Sequence, residues 1–414
     1  FSRKVESLVT PTGRQLASKS MDRSTELINH PYLAPDAFEA AMPGIHKAST
    51  VLFPTVADMR SRQWTDKSAY TYGLHGTPTT FTLEERLATL EGGRYCVLVP
   101  SGLAAIALVD LAFLQPGDEV LLPDNAYGPG RDFLCVEMAR WGVKTRVYDA
   151  LNPADLARKI SDHTRLVWLE AAGSITLEFP DVSACVAVIN AANAKRPSGA
   201  RQILSALDNT WGAGIAFQPF DMGVDISMHA LTKYPSGGGD VLMGSVVTRD
   251  PALHETLQMC HMRLGLAVGA NDAELVLRSL PTAHLRYARQ DAVTRRLAEW
   301  ALTRPEFSHV LHPALPESPG HAVWARDCTG AACLFTVVFQ PRYSQAQVDA
   351  FCDRLQLFGI GYSWAGPQSL VVPYQLPESR ARLWPHGCGV VRFAIGLADA
   401  QDLQNDLAQS LDAL

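Results

Sequence analysis

A lysine and an aspartate each stand directly after a strand-like segment of this sequence, 25 residues apart. Lys233 follows the run Asp225–Thr232, and Asp208 follows the apolar run Ile203–Leu207. A lysine amine can form a Schiff base with an aldehyde, and a carboxylate can keep a ring nitrogen protonated so that the ring accepts electrons. The two groups therefore suit pyridoxal 5′-phosphate (PLP). The same pattern also fits an exposed lysine and an aspartate that caps a turn.

The segments around these two residues alternate between strand-like and helix-like patterns. The strand-like runs lie at Cys96–Val99, Glu119–Leu122, Thr145–Tyr148, Leu166–Leu169 and Ile203–Leu207. Helical spacing marks Phe81–Leu90 and Leu103–Leu114. Such alternation predicts a mostly parallel sheet with helices on both faces, in which sites form beyond the carboxyl ends of the strands. Those ends carry Ser101, Gly102, Tyr127, Glu170 and Asp208.

The rest of the chain predicts an N-terminal arm and a smaller C-terminal domain. The first 70 or so residues are irregular, with prolines spread through them at Pro11, Pro31, Pro35, Pro43 and Pro54. Such an arm needs a surface to lie on, and we expect that surface on a neighbouring subunit. Later patterns predict helices over Ala283–Thr303 and Gln345–Leu357 and strands over Leu334–Phe339 and Val390–Ile395. We therefore predict an arm at 1–75, a large domain at 76–270 and a small domain at 271–414.

Composition argues against several classes of protein. The chain has 36 Lys and Arg against 42 Asp and Glu, which gives a net charge of −6, and it has no long run of charges of one sign. This charge pattern argues against nucleic acid as a main partner. No apolar stretch approaches the roughly 18 residues that a membrane span needs, and the first residues lack the apolar core of a signal peptide. The eight cysteines include no C-x-x-C pair, which indicates free thiols in a reducing compartment. We expect a cytoplasmic protein without a metal site.

Longer motifs resemble the Cys/Met-metabolism family of PLP enzymes and, within it, the cystathionine β-lyases. These motifs are Tyr70–Pro78, Leu90–Gly93, Leu169–Glu178, Asp208–Trp211, Thr232–Tyr234, His312–Pro316, Tyr362–Trp364 and Val391–Gly396. Each is weak alone, but their order and spacing together are specific. The resemblance implies an α/β protein with the aspartate-aminotransferase-like fold (fold type I), PLP as the cofactor, and a homotetramer built as a dimer of catalytic dimers.

The resemblance also implies which residues hold the cofactor. The backbone N–H groups of Gly102 and Leu103 bind the PLP phosphate, as the N-terminus of a helix can, together with the hydroxyl of Thr232. The ring of Tyr127 stacks on the pyridine, and Tyr72 reaches the phosphate across the dimer interface. From the residues alone, the glycine segment is equally a tight turn and the stacking tyrosine is equally a surface aromatic.

The substrate is expected to meet residues of the C-terminal half. Arg392 lies in a predicted strand, where an unpaired cation is costly, and a substrate α-carboxylate is a suitable bidentate partner. A salt bridge to a local acid is the alternative. Tyr362, Ser363 and Trp364 are expected to line the distal pocket. Relatives that process γ-substituents tend to have a glutamate at position 362, so the tyrosine favours the β-lyase side of the family.

Two departures from the family pattern lie near the expected phosphate and the lysine loop. Leu74 stands where an arginine is usual, so one phosphate charge is missing, and His75 is a candidate to replace it. Gly238-Gly239 stands where His-Ser is common. The expected activity is that of a PLP-dependent carbon–sulfur β-lyase converting L-cystathionine to homocysteine, pyruvate and ammonia. The alternatives are a γ-lyase or γ-synthase, a desulfhydrase of cysteine or its S-conjugates, and a PLP-fold binding or regulatory protein.

Overall fold

The computed structural model describes residues 8–9, 15–16, 22–28, 30, 41–375 and 389–414. Much of the predicted N-terminal arm, including Pro11, Pro31 and Pro35, lies outside the described residues, as does Cys388. The first elements are β1 (Leu8–Val9), β2 (Gln15–Leu16), α1 (Arg23–Ile28), α2 (Val56–Ser61) and a 3₁₀ turn at Gly73–His75. None of the helices in the described part of the chain is long and apolar enough to cross a membrane.

A seven-stranded sheet forms the centre of the large domain. Its strands are β3 (Tyr95–Val99), β4 (Glu119–Pro123), β5 (Lys144–Tyr148), β6 (Thr164–Glu170), β7 (Leu204–Asp208), β8 (Ile226–Ala230) and β9 (Gly244–Thr248). Their order is β3-β9-β8-β7-β6-β4-β5. Only β9 breaks the common direction, since it pairs antiparallel with both β3 and β8. The prediction of a mostly parallel α/β sheet is confirmed.

Helices cover both faces of this sheet. They are α3 (Pro78–Glu91), α4 (Gly102–Phe113), α5 (Gly128–Asp132) continued by a π-helical turn (Phe133–Met138), α6 (Pro153–Lys159), α7 (Val182–Asn193), a 3₁₀ turn at Pro219–Met222, and α8 (Pro251–Leu264). Because successive strand side chains point to opposite faces, neighbours in one strand belong to different cores. Leu121, Val167 and Leu207 lie in one apolar core, whereas Val120, Leu166 and Ala206 lie in the other.

The C-terminal part contains a five-stranded sheet in the order β10-β11-β14-β13-β12. Its strands are β10 (Phe307–Leu311), β11 (Leu334–Phe339), β12 (Phe358–Ile360), β13 (Ser369–Tyr374) and β14 (Val390–Ala394). The accompanying helices are α9 (Ala270–Ser279), a 3₁₀ turn at Leu280–Thr282, α10 (Ala283–Ala301), α11 (His321–Asp327), α12 (Gln345–Arg354) and α13 (Ala400–Leu411). Phe335 and Phe393 stack at 4.9 Å between ring centroids in its core, which is packed separately from the large sheet.

Two hydrogen bonds join a loop of the large domain to the small sheet. The hydroxyl of Thr336 donates to the carbonyl of Ile175 at 2.6 Å, and the guanidinium of Arg392 donates to the carbonyl of Ser174 at 2.7 Å. Helix α9 packs its buried face, through Ala273 among others, into a core shared with the large sheet. The domain bounds at residues 75 and 270 stay a prediction.

Candidate active site

Lys233 stands three residues beyond β8, in a turn closed by a hydrogen bond from its N–H to the carbonyl of Ala230. Its ammonium donates to the hydroxyl of Ser363 at 2.8 Å and lies 5.5 Å from the centre of the Trp364 ring. Burial, and secondarily the positive charge of Arg392, lowers the pKa of Lys233 to about 8. A substantial fraction of the amine is therefore neutral slightly above neutral pH, as a base or nucleophile requires.

Ser363 reaches Lys233 through an unusual backbone conformation. Its φ is +101°, a value that non-glycine residues rarely adopt. Ala365, two residues later, has φ +65°. The segment between β12 and β13 thus turns sharply and directs both the Ser363 hydroxyl and the Trp364 ring toward the lysine. Backbone strain of this kind concentrates at functional sites, where the surrounding packing holds it in place.

Asp208 ends β7, beside the strand that leads to the lysine. Its carboxylate accepts a hydrogen bond of 2.9 Å from the N–H of Thr210, whose hydroxyl in turn accepts from the N–H of Ala230 at 3.0 Å. Burial is the largest influence on Asp208 and raises its pKa, while the bond from Thr210 opposes it. A cationic ring N–H at this carboxylate would offset the cost of burying its charge.

A cradle for an anion lies at the start of α4. The hydroxyl of Ser101 accepts from the N–H of Ala104, while the N–H groups of Gly102 and Leu103 occupy the first helical positions, where no intrahelical acceptor exists. A Cβ on Gly102 would lie 2.6 Å from the Cβ of Ala230, so only glycine fits this close approach. The helix start therefore presents bare backbone donors to a phosphate.

Thr232 completes the set of possible phosphate donors. Its hydroxyl oxygen accepts a long hydrogen bond of 3.4 Å from the N–H of Met243, which leaves the hydroxyl proton available to donate. The carbonyl of Thr232 accepts from the hydroxyl of Ser236, and this fixes the turn that carries Lys233.

Tyr127 is anchored by Glu170, a residue that the sequence placed at a strand end but to which it assigned no role. The carboxylate of Glu170 accepts from the N–H of Tyr127 at 2.7 Å, and Glu170 is the register partner of Asp208 on the adjacent strand. The ring of Tyr127 is 42% exposed, and burial raises the pKa of its phenol. Tyr127, Glu170 and Asp208 line one pocket.

Arg392, in β14, is only 4% exposed. It donates to the carbonyl of Ser174, and its guanidinium carbon lies 5.1 Å from the centre of the Tyr374 ring. Within the described ranges it forms no ion pair with an acidic side chain, so the local salt bridge considered from the sequence is not found there. Binding of a substrate carboxylate by Arg392 stays a prediction. Tyr374 was missed, because a tyrosine in a strand carries no signal of what its ring covers.

Two predicted site tyrosines are exposed in the single chain. Tyr362 is 81% exposed, with its ring 6.4 Å from that of Tyr374. Tyr72 is 45% exposed; in the described part of one chain it bridges to Thr50 and meets His75 edge-on rather than the residues around Lys233. Its role across a dimer interface stays a prediction.

The histidine proposed as a replacement charge is held in a neutral setting. The Nδ1 of His75 is hydrogen-bonded to the hydroxyl of Thr71 at 2.8 Å, and its ring lies 5.0 Å from that of Trp64. Burial, with a smaller contribution from His261, lowers the pKa of His75. The residues that surround His75 therefore disfavour a positive charge on its ring.

Taken as a donor set, the residues around Lys233 fit PLP. The bare N–H groups of Gly102 and Leu103 suit its phosphate, the carboxylate of Asp208 suits its ring nitrogen, and the amine of Lys233 suits its aldehyde. The fit rests on a cradle that a Cβ at residue 102 would fill and on a buried carboxylate whose hydrogen bonding leaves room for a cationic partner.

Comparison with known proteins also points to a PLP-dependent enzyme. The sequence profile described as Cys/Met metabolism PLP-dependent enzyme matches residues 24–412. A putative cystathionine beta-lyase of Rhizobium johnstonii is 39% identical over 395 residues, 94% of this chain and 95% of that protein. The cystathionine beta-lyase MetC of Escherichia coli is 35% identical over 398 residues, 95% and 98% of the two chains. The crystal structure of metB from Corynebacterium glutamicum matches with a TM-score of 0.85 and 28% identity, covering 95% of this chain and 98% of that one.

Proposed function

The chain belongs to the Cys/Met-metabolism family of PLP-dependent enzymes, and on this premise we propose that it is a carbon–sulfur β-lyase that acts on L-cystathionine. Its fold is that of the fold type I PLP enzymes. The observation that carries the proposal is the amine of Lys233, whose pKa is lowered to about 8 in a site that also holds a buried carboxylate and a phosphate cradle. The relatives named cystathionine beta-lyase support the choice of substrate.

When bound, PLP supplies an electron sink that stabilises negative charge at the substrate Cα. The residues of the chain then have separate tasks. Gly102, Leu103 and Thr232 bind the phosphate, and Asp208 keeps the proton on the pyridine nitrogen. Tyr127 stacks on the ring, held in place by its hydrogen bond to Glu170.

The remaining residues act on the substrate. Arg392 binds the α-carboxylate through charged hydrogen bonds. The neutral amine of Lys233 takes the proton from Cα, and Ser363, which accepts from that amine at 2.8 Å, holds it in place. The bond between Cβ and sulfur breaks, and homocysteine leaves as a thiolate. The thiolate takes up a proton, and the remaining three-carbon fragment takes up one water molecule to give pyruvate and ammonia.

The alternative is γ-elimination, in which the other carbon–sulfur bond of cystathionine breaks. Tyr362 argues against it, since γ-processing relatives tend to carry a glutamate there. The two reactions give different products from one substrate, because β-elimination yields pyruvate and homocysteine whereas γ-elimination yields 2-oxobutyrate and cysteine. Pyruvate as the main keto acid supports the proposal, and 2-oxobutyrate as the main keto acid contradicts it.

The same assay separates an enzyme from a binding or regulatory protein. Lys233→Ala removes the base, and we expect kcat to fall at least about 10³-fold, since a positioned base contributes 10²–10⁴. The visible absorption of the lysine-bound cofactor should disappear in the same variant. An exposed lysine, Lys144→Ala, serves as the control. Failure of the wild-type protein to turn over any of cystathionine, cysteine or S-alkyl cysteines would favour the binding reading.

We further propose a homotetramer in the cytoplasm. The exposed ring of Tyr72, which the family resemblance assigns to the phosphate of a neighbouring subunit, supports an assembly of catalytic dimers. The seven cysteines of the described ranges are free, which fits a reducing compartment. Sedimentation of the purified protein tests the assembly, and a mass of one chain contradicts it. Cell fractionation tests the location.

A further inference from the structure

We infer that Tyr374 is a positioning residue that holds the guanidinium of Arg392 edge-on to the substrate carboxylate. This inference rests on the proposed role of Arg392 in substrate binding. None of the sequence motifs indicated Tyr374. Its proposed role is to orient the group that binds the substrate carboxylate, without contact with the reacting atoms.

The pairing of β13 with β14 places the two side chains together. Val372 is the register partner of Arg392, and Tyr374 is the partner of Val390. Tyr374 is therefore a diagonal neighbour of Arg392, and side chains at this offset remain within reach of a long or aromatic residue. The observed separation of 5.1 Å from the guanidinium carbon to the ring centre matches a cation–π contact.

The guanidinium interacts with the hydroxyl of Tyr374 as well as with its ring. Burial raises the pKa of the Tyr374 phenol, and the charge of Arg392 and a hydrogen bond from its guanidinium oppose that rise. The N–H groups of arginine point outward in the plane of the group, so contacts with both the ring and the hydroxyl of Tyr374 restrain that plane. One in-plane donor is used by the carbonyl of Ser174 at 2.7 Å. The remaining donors are left for a planar bidentate acceptor such as a carboxylate.

The neighbours of Arg392 are also uncharged. A carbonyl oxygen and a phenol ring are its contacts, and in the ranges that the structure describes no acid neutralises it. Because no negatively charged group of those ranges pairs with this buried cation, an anionic ligand can form the ion pair that it lacks. The charge reaches the catalytic lysine as well, because Arg392 contributes to the lowered pKa of Lys233.

Tyr374 is itself fixed from two other sides. It packs, with Ile175, against the small apolar cluster of Leu311, Val338 and Val390, and its ring meets the exposed ring of Tyr362 at 6.4 Å. The loop that carries Ile175 also carries Ser174, the acceptor of Arg392. The loop with Ser174 thus restrains the guanidinium through a hydrogen bond, and Tyr374 restrains it through the contact with its ring.

The test uses the PLP-loaded enzyme and 3-(methylthio)propionate, a thioether carboxylate that lacks an amine and so cannot react with the cofactor. Its Kd is measured by calorimetry. We expect Tyr374→Leu to weaken binding about five- to tenfold, because the cation–π contact of a partly buried pair is lost. Tyr374→Phe keeps the ring but removes the hydroxyl that interacts with Arg392, and it should weaken binding less than Tyr374→Leu does. PLP content and the unfolding midpoint should stay unchanged in both.

The matched control is Tyr343→Leu, which removes a similar stacking contact, 5.0 Å from Arg342 to the ring, away from the site. It should leave Kd unchanged. Arg392→Leu should abolish binding; if it does not, the proposed role of Arg392 fails. If Arg392→Leu abolishes binding but Tyr374→Leu binds like wild type, the present inference is overturned. Should the leucine variant not fold, Tyr374→Met, which fills similar space without a ring face, is measured in its place under the same criteria.

Discussion

The carboxylate of Glu170 accepts a 2.7 Å hydrogen bond from the backbone N–H of Tyr127. Tyr127 precedes α5 without a side-chain cap of its own, so an acid from β6 satisfies a donor at this helix start. The bond ties Tyr127, which is expected to stack on the cofactor, to the strand that runs beside Asp208. Two groups expected on different parts of the cofactor ring are thereby held to adjacent strands of one rigid sheet.

We expect Glu170→Ala to loosen Tyr127 and to raise the Kd for PLP about tenfold, since hydrogen bonds to charged groups contribute roughly 1.5–3 kcal/mol. Glu170→Gln keeps an oxygen acceptor and should show a smaller effect. Fluorescence titration of the cofactor-free proteins with PLP measures both. Glu137→Ala, which removes an exposed acid paired with Arg140, is the control. Equal Kd values for Glu170→Ala and wild type would show that the bond does not position the tyrosine.

The stability of the cofactor-free protein should depend on pH through Lys233. Its pKa is lowered from 10.5 to about 8 by burial, so between these values the unfolded chain holds a proton that the folded chain has released. Rising pH therefore favours the folded state in this window, and below about pH 8 the cost of the buried charge is fully present. Lys233→Met should raise stability at pH 7 by on the order of 3 kcal/mol, and by clearly less at pH 9.5.

Thermal unfolding of the cofactor-free variant and wild type at the two pH values checks this expectation. Lys144→Met, at an exposed position of β5, should show no such difference. A gain for Lys233→Met that is as large at pH 9.5 as at pH 7 would indicate that the methionine stabilises through packing rather than by removing a charge.

Asp208→Asn should separate cofactor binding from folding. Burial raises the pKa of Asp208, so the neutral amide should not destabilise the cofactor-free protein at pH 7. The amide lacks the charge that holds the pyridine proton, and we expect PLP to bind at least about tenfold more weakly, a loss of the size given for a charged hydrogen bond. The two measurements are the unfolding midpoint without PLP and the Kd for PLP. Asp132→Asn, on an exposed acid, is the control, and unchanged PLP affinity in Asp208→Asn would refute the assignment.

The phosphate site should respond to charge at residue 74 but not to His75 at pH 7. Because the pKa of His75 is lowered and its Nδ1 is bound to Thr71, we expect His75→Ala to change the Kd for PLP less than about twofold. Leu74→Arg should tighten PLP several-fold by adding a charged donor that relatives place near the phosphate, whereas Leu74→Met should not. Selective loss of affinity by His75→Ala at low pH would show that bound phosphate raises the pKa of this histidine after all.

The alternation of strands and helices could be predicted because central strands such as β4 and β6 are buried over nearly their whole length, whereas a helix such as α4 buries one face. Leu334–Phe339 is a strand over the predicted residues, and the helix at 283 starts where its pattern starts. Strand β9 was not predicted, although Gly244–Thr248 is short and apolar. A short apolar run can indicate that a strand exists. It cannot indicate that the strand lies between β3 and β8, because that position depends on pairing with segments far apart along the chain.

The site divides in the same way. Lys233 and Asp208 were predicted as site residues because their chemistry is tied to the ends of strands. Glu170 and Tyr374 were not predicted, and each is linked to the expected site by a contact, one with a backbone N–H and the other with a guanidinium. No residue type or spacing signals such contacts, since each partner lies on another segment of the chain and is brought close only when the strands pair.

From the order of strands in the large sheet we also expect a limit on when, during synthesis, the cofactor can first bind. β3 leads directly into the phosphate cradle, yet in the described chain it lies at the edge of the sheet with β9 as its neighbour. Val99 pairs with Gly244, whose backbone lies so close to the carbonyl of Ser101 that a Cβ would approach it to 2.4 Å. A nascent chain that ends before residue 244 already contains Lys233 and Asp208 but cannot seat the turn that faces them. Such truncated chains should not bind PLP. Cofactor binding should begin only after β9 has been synthesised and has left the ribosome.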